Sequence, residues 1–351
     1  MIEVDNSPKR RIFTNISSDE VADLKRRVVN KIIEIEEGSQ DYNDLSMFEN
    51  ESCSDNISVF FYKKKIEEGI EILLSDNKID KDFKDELRDL KRNLFKILVG
   101  DFPTIKKYLL DLKKKNSQLI NQGISSSKSE DYKKYQERFS KLYETQLTKV
   151  FKKSFFKIFT EQGVNVCPYC NRNYISPIYK TEKVGNDYKK KSPDIEHFFP
   201  KSIYPLLALS ISNLLPSCDF CNKIKSNVDT LDNCISPYEK AIENEFRFRF
   251  DLLDVSTRTI KLESSFNNSK ILHLESLYAE VHHNFVDEVF WDIRKNPMQH
   301  QKFLESFGIS SSKDEEYKKQ FRNYFKEDDF NKQPLSKMTK DLFMQIKEDE
   351  E

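Results

Sequence analysis

The sequence of 351 residues contains few of the residues that interrupt helices, with 7 Gly and 11 Pro. It also lacks a long apolar run, since the longest, from Tyr204 to Leu215, is too short and too interrupted to span a bilayer. Its first residues lack the apolar segment of a signal peptide. These absences argue against a membrane or secreted protein, and they predict a soluble, cytoplasmic and mainly α-helical chain.

The chain as a whole also lacks a charge bias, because its formal net charge is -1, but its charges are unevenly distributed. Residues 91–160 hold 17 Lys or Arg against 6 Asp or Glu, whereas residues 311–351 hold 9 against 11. The basic segment could follow a phosphate backbone, and the acidic tail could repel one or dock a partner. Both segments could equally be solvated helical faces. Hydrophobic residues make up 37% of the chain, which is enough for a core and argues against disorder throughout.

Hydrophobic spacing predicts helices over much of the chain, at residues 21–37, 60–75, 83–100, 104–120 and 132–162. Ser18 is a candidate N-cap for the first of them. Residues 122–130, rich in Ser, are expected to form an exposed connector.

The composition of the sequence changes after residue 164. From there to Tyr238, Cys, Pro, Asn and His are frequent and the helical spacing of apolar residues is lost. Phe246, Phe248 and Phe250 then alternate with charged residues, which predicts a strand that forms a hairpin with residues 258–263. Helix is expected to return over residues 268–308, with Trp291 and its aromatic neighbours in the core.

We therefore divide the chain into four regions. They are an N-terminal helical region (1–123), a connector and basic helix (124–164), a compact module (165–240), and a C-terminal β-hairpin and helical region with an acidic tail (241–351).

Two Cys-x2-Cys pairs bracket the compact module. Cys167 and Cys170 form the first, and Cys218 and Cys221 form the second, with 47 residues between the pairs. Each pair can present both sulfurs to one ion, and the two together complete a tetrahedral site without an open position, which predicts a structural zinc ion. A redox pair or four unrelated buried thiols is the alternative. Cys53 and Cys234 fall outside the pattern, although Cys234 is close enough in sequence to be a spare ligand.

Residues suited to phosphodiester hydrolysis lie between the cysteine pairs and just after the second. His197 can act as the general base, while Glu196 and Asn222 offer the oxygen ligands that Mg²⁺ or Mn²⁺ prefers. Asn213 could bond the hairpin backbone and orient His197, and Lys225 could contact a phosphate or neutralise developing charge. Candidate residues for binding nucleic acid share a positive charge and lie in this module; they are Arg172, Lys201, Lys223 and Lys225. The other histidines are expected to be surface or packing residues.

The order Glu-His-x2-Pro, Asn-Leu and Cys-x2-Cys-Asn-x2-Lys resembles the ββα-metal motif of the HNH nuclease family, including the HNH domain of RNA-guided CRISPR nucleases. It is more similar to HNH proteins of the Septu and retron-associated type of phage defence, which share the segments Cys167–Arg172, Glu196–Ser202, Asn213–Lys225 and Pro237–Tyr238. Asn171 departs from that pattern, in which Gly is frequent, and Glu196 replaces a commoner Asp.

This resemblance implies a mainly α protein with a small α+β insert, in which helical regions flank a zinc-stabilised ββα-metal HNH module. It assigns the general base to His197, its support to Asn213 and the catalytic Mg²⁺ or Mn²⁺ to Glu196 and Asn222. Asp194 would stand beside that metal or take the place of Glu196. The resemblance further implies a nucleic acid substrate, with DNA favoured over RNA, an ABC- or SMC-like ATPase partner and no membrane association. The alternative is a zinc-stabilised module that binds nucleic acid or protein without catalysis.

Overall fold

The computed structural model describes residues 66–143, 164–175, 193–239, 245–252, 259–264, 267–291, 302, 306 and 332–350. The predicted helix at 21–37 with its cap Ser18, Cys53, His300 and all of 144–162 lie outside these residues. Within them the chain is mainly α-helical with two small antiparallel sheets, as the sequence predicts. None of the helices in this part of the chain combines the length and apolarity needed to cross a bilayer.

Four helices follow the helical residues 66–75: α1 (Lys81–Val99), α2 (Phe102–Lys114), α3 (Gln118–Ile124) and α4 (Glu130–Leu142). Each begins after a residue whose side chain accepts a hydrogen bond from a backbone N–H of the first turn; these caps are Asp80, Asp101, Ser117 and Ser129. A capping side chain satisfies donors that a helix leaves unpaired at its start. The sequence therefore sets the helix starts locally.

The prediction of one continuous helix at 104–120 is wrong, because the segment contains two helices: α2 ends at Lys114 and α3 starts at Gln118. Asn116 adopts a left-handed backbone conformation with φ 52°, which ends the helix. Ser117 caps α3, and its hydroxyl also donates to Glu86 of α1 at 2.6 Å. Local capping and a contact with α1 thus override the apolar periodicity of this segment.

The compact module contains two antiparallel strands, β1 (Asp194–His197) and β2 (Leu214–Ser217), followed directly by helix α5 (Asp219–Lys225). Asp194 pairs with Ser217 and His197 with Leu214. The loop between the strands includes two short 3₁₀ turns at Pro205–Leu207 and Ile211–Asn213. The chain thus forms a strand–strand–helix unit immediately around the second cysteine pair.

The N-terminal helices and the compact module share one hydrophobic core. Phe102, at the start of α2, stacks on Phe199 with a centroid distance of 5.3 Å and meets the edge of Phe198 at 5.4 Å. Both phenylalanines directly follow His197 in the sequence. The division of the chain into four regions stays a prediction, but the first core crosses all three of its boundaries, since it also includes Leu272 and Leu274.

The C-terminal part builds a second core around strands β3 (Phe246–Phe250) and β4 (Ile260–Ser264), so the predicted hairpin is confirmed. Helices α6 (Asn267–Ile271), α7 (Leu274–Ala279) and α8 (Ser336–Glu350) flank it. The helix predicted at 268–308 is interrupted, since His273 has a left-handed φ of 49°. Trp291, expected in the core, is 39% exposed, whereas Phe290 is buried.

Candidate metal and catalytic site

The four predicted ligands Cys167, Cys170, Cys218 and Cys221 are brought together and buried, with their sulfurs all within 4.8 Å of one another. The Cys170 and Cys218 sulfurs are 3.9 Å apart. A tetrahedral zinc site with Zn–S bonds of about 2.3 Å separates its sulfurs by about 3.8 Å, whereas a disulfide needs about 2.05 Å. The geometry of the donor set therefore fits a zinc ion. Cys234 is buried but is not a member of this cluster.

Backbone N–H groups surround the sulfurs. The Arg172 N–H donates to the Cys170 sulfur at 3.4 Å, and the Cys221 N–H donates to the Cys218 sulfur at 3.5 Å. Such donors favour the thiolate form that binds metal. The turn between Cys167 and Asn173 places Asn171 at φ 51°, a conformation that Gly adopts freely and Asn tolerates. This explains why Asn can stand where Gly is frequent in similar sequences.

His197 lies at the end of β1 and is 8% exposed. Its Nε2 is 2.9 Å from the Ala208 carbonyl oxygen. Because a carbonyl only accepts, Nε2 carries the proton and Nδ1 keeps the lone pair that a general base needs. Burial lowers the pKa of His197 to about 3, so the imidazole is neutral near pH 7. The ring also packs against Tyr143, with centroids 4.7 Å apart.

Asn213 bonds the hairpin backbone, as the sequence predicts. Its Oδ1 accepts from the Phe199 N–H at 2.7 Å, and its Nδ2 donates to the carbonyls of Phe199 and Leu207. The residue is fully buried, so these bonds are not in competition with water. Asn213 thereby closes the loop that follows His197.

Asp194 and Asn222 face each other across β1 and α5. The Asn222 Nδ2 donates to Asp194 Oδ2 at 2.9 Å, and both residues are half-buried. Asn222 sits on α5, whose N-cap is the zinc-ligand candidate Cys218. The pair therefore offers oxygen ligands at a partly exposed position that the cysteine cluster helps to fix.

Glu196 and Lys225 pair with each other in the interior. The Lys225 Nζ lies 2.5 Å from Glu196 Oε1 and donates to the His197 carbonyl at 2.8 Å, and both side chains are 3% exposed. Tyr169, within the first cysteine pair, donates its hydroxyl to Glu196 Oε2 at 2.7 Å. The roles predicted for Glu196 in metal binding and for Lys225 in phosphate contact stay predictions. Sequence reasoning missed Tyr169, whose only signal was its place between two ligand candidates.

Besides the buried Lys225, three residues are predicted nucleic-acid contacts, and they lie in different segments of the chain. Lys201 follows β1, and its Nζ is 4.1 Å from the centroid of the Tyr143 ring. Lys223 is exposed on α5 and pairs with Asp219 at 2.7 Å. Arg172 donates through Nε to His282 Nε2 at 3.0 Å. Burial and the nearby Arg172 charge lower the pKa of His282, which keeps it a neutral acceptor.

Comparison with known proteins finds one partial likeness. The chain is 34% identical over 82 residues to the Septu protein PtuB of Bacillus thuringiensis, an overlap that covers 23% of this chain and 27% of that protein. No family model matches the chain, and no solved structure matches it significantly. The match spans about a quarter of the length of this curated relative. The chain is therefore a weak, partial homologue of a Septu protein, with a buried four-cysteine cluster that could bind zinc.

Proposed function

We propose that the chain is a metal-dependent HNH endonuclease that hydrolyses phosphodiester bonds, with DNA favoured over RNA. One observation carries the proposal: a neutral histidine ends the first strand of a strand–strand–helix unit, and an oxygen-ligand pair joins that strand to the helix. The resemblance to the ββα-metal motif supports the proposal, and it allows Asp194 to stand in place of Glu196. The four cysteines hold a zinc ion in this proposal and take no part in the chemistry.

In the proposed reaction, His197 Nδ1 takes a proton from the attacking water. Of the predicted oxygen ligands, Asp194 and Asn222 are the more exposed and would hold Mg²⁺ or Mn²⁺, because Glu196 is buried and bonded to Lys225 and Tyr169. The ion would stabilise the charge that develops on the phosphate. Asp194 thus takes the place that the resemblance gives to Glu196, and Lys225 positions Glu196 beside the general base.

The partial similarity to a Septu protein supports an effector role in bacterial phage defence. An ABC- or SMC-like ATPase is the partner class proposed for such an effector. The helical regions outside the compact module are larger than the strand–strand–helix unit requires, and they offer surface for this partner.

Replacing the general base tests the proposed activity. His197→Ala should lower Mg²⁺- or Mn²⁺-dependent cleavage of plasmid DNA by about 10²- to 10⁴-fold, because proton transfer from water loses its acceptor. Zinc content and unfolding midpoint should stay close to those of the unsubstituted protein. His283→Ala, at an exposed histidine, is the matched control and should cut normally.

Two results would count against the nuclease. A pure His197→Ala protein that cuts at the full rate would remove His197 from the chemistry. Cleavage that never appears with either ion, with or without a co-expressed ATPase, would favour a zinc-stabilised binding module. The burial of Glu196 in an ion pair is the observation that supports this second candidate.

A further inference from the structure

One face of helix α4 is hydrogen-bonded to the loop that follows His197. Tyr132, Gln136 and Tyr143 are spaced by four and seven residues, which places them on one side of a helix. The Tyr132 hydroxyl donates to the Ile203 carbonyl at 3.0 Å, and Gln136 Nε2 donates to the Ser202 carbonyl at 2.7 Å. The loop after the candidate base is thus bound to a helix outside the compact module.

The end of α3 and the turn before α4 also contact this loop. Lys128 Nζ donates to the same Ser202 carbonyl at 3.1 Å. At Gly123 a Cβ atom would lie only 2.1 Å from the Ile203 carbonyl oxygen, so only glycine permits this approach of the two backbones. These contacts fix the loop relative to α4 from two directions.

Tyr143 is the C-cap residue that directly follows α4, and its ring contacts two candidate site residues. Its ring meets the His197 imidazole at 4.7 Å with an interplanar angle of 63°, an edge-to-face contact. The Lys201 ammonium lies over the same ring, 4.1 Å from the centroid. One aromatic side chain therefore holds an imidazole and a cation near each other.

A cation beside His197 could stabilise the negative charge of a phosphate group during cleavage. The phosphorus attacked by a water molecule that His197 activates must lie next to the imidazole, and its oxygens gain negative charge in the transition state. Lys225 is also near His197, but it is buried against Glu196. Lys201 is half-buried, whereas Lys225 is buried, so Lys201 is the more accessible of these two residues.

We infer that Tyr143 positions His197 and Lys201 together, and that Lys201 binds the phosphate group that is cleaved. This inference rests on the proposed nuclease function. It makes α4 part of the reacting centre, since the helix supplies the ring on which the base and the phosphate ligand meet.

Variants at both residues test the inference on the full chain with plasmid DNA and Mn²⁺. Lys201→Gln should lower kcat/KM at least tenfold. In a His197→Ala background it should also reduce the salt dependence of DNA binding by about one phosphate contact, a readout that a merely structural lysine would leave unchanged. Lys201→Arg should recover most of both. Lys270→Gln, an exposed lysine on α6, is the matched control for charge.

Tyr143→Leu should lower kcat at least tenfold with little change in KM, while Tyr143→Phe keeps the ring and should stay within twofold of the unsubstituted rate.

If the protein cuts DNA and neither Lys201→Gln nor Tyr143→Leu lowers kcat/KM, the inference is overturned and the nuclease function stands. Equal losses in Tyr143→Phe and Tyr143→Leu would also overturn it, because the ring would then not be the active feature. A protein without cleavage under any condition removes the proposed function itself. Zinc content and circular dichroism show whether Tyr143→Leu is folded, and Lys201→Gln decides the case if it is not.

Discussion

At the residue scale, two carboxylates of one short strand meet different surroundings. Asp194 and Glu196 are two positions apart on β1, so their side chains lie on the same face, toward α5. Asn222 donates a hydrogen bond to the first carboxylate, and Lys225 donates one to the second. The strand enters the core along its length, and only the second carboxylate is buried. A buried charge is tolerated when it is paired and hydrogen-bonded, which Lys225 and Tyr169 accomplish for Glu196.

Breaking this pair at one side should be costly. Lys225→Met leaves Glu196 buried without its cation and should lower the free energy of unfolding by about 3–5 kcal/mol. The double variant Glu196→Gln/Lys225→Met should recover a large part of that loss. Urea unfolding of the zinc-loaded protein measures both values.

Lys223→Met is the control, since Lys223 lies on the same helix but is exposed and pairs with Asp219, which is also exposed. It should change the stability by less than about 0.5 kcal/mol. A Lys225→Met protein as stable as Lys223→Met would show that the buried pair does not support the fold.

At the scale of elements, Asn171 joins the first cysteine turn to helix α8. Its Oδ1 accepts from the Lys337 N–H at 3.0 Å and from the Ser336 hydroxyl at 3.1 Å, and its carbonyl accepts from the Leu335 N–H at 2.6 Å. The side chain thus serves as an N-cap for a helix far away in sequence. It performs this while adopting a left-handed φ of 51°.

Asn171→Gly should separate these two roles, because glycine adopts the backbone conformation but offers no cap. We expect a loss of about 1 kcal/mol in unfolding free energy and faster hydrogen exchange at the first amides of α8. Asn116→Gly is the control, as Asn116 also has a left-handed φ, of 52°, but is exposed at the end of α2. Asn171→Gly would contradict the cap if its stability and exchange matched those of Asn116→Gly.

Elements that rest on local pattern could be predicted from the sequence, and contacts between distant elements could not. The cysteine pairs, the β3–β4 hairpin and the backbone bonds of Asn213 follow from spacing within short segments. Tyr143 is 54 residues before His197, and nothing in the spacing of α4 indicates which loop its face will meet. The break at Asn116 was missed because periodicity records the buried face and not the backbone conformation.

At the scale of the whole molecule, the site depends on helices outside the module that contains it. The two phenylalanines after His197 pack on Phe102, and the loop beyond them is held by α4. A module of about 75 residues buries a smaller share of its surface on folding than a larger domain does, so its own core adds little stability. The four-cysteine cluster joins the first cysteine turn to α5, while the N-terminal helices contribute much of the core that the module shares with them.

A fragment of residues 165–240, refolded with zinc, should consequently lack a cooperative unfolding transition, because Phe198 and Phe199 lose their packing partner. In the full chain, Phe102→Ala removes the same packing partner but leaves the rest of the core. It should lower the free energy of unfolding by about 3–5 kcal/mol. Phe220→Ala, at a 46% exposed phenylalanine on α5, should change it by less than about 0.5 kcal/mol. Urea unfolding and zinc content measure all three proteins. A fragment that binds one zinc ion and unfolds cooperatively would show that residues 165–240 are an independent domain, and that the shared core adds stability without being required for the fold of the site.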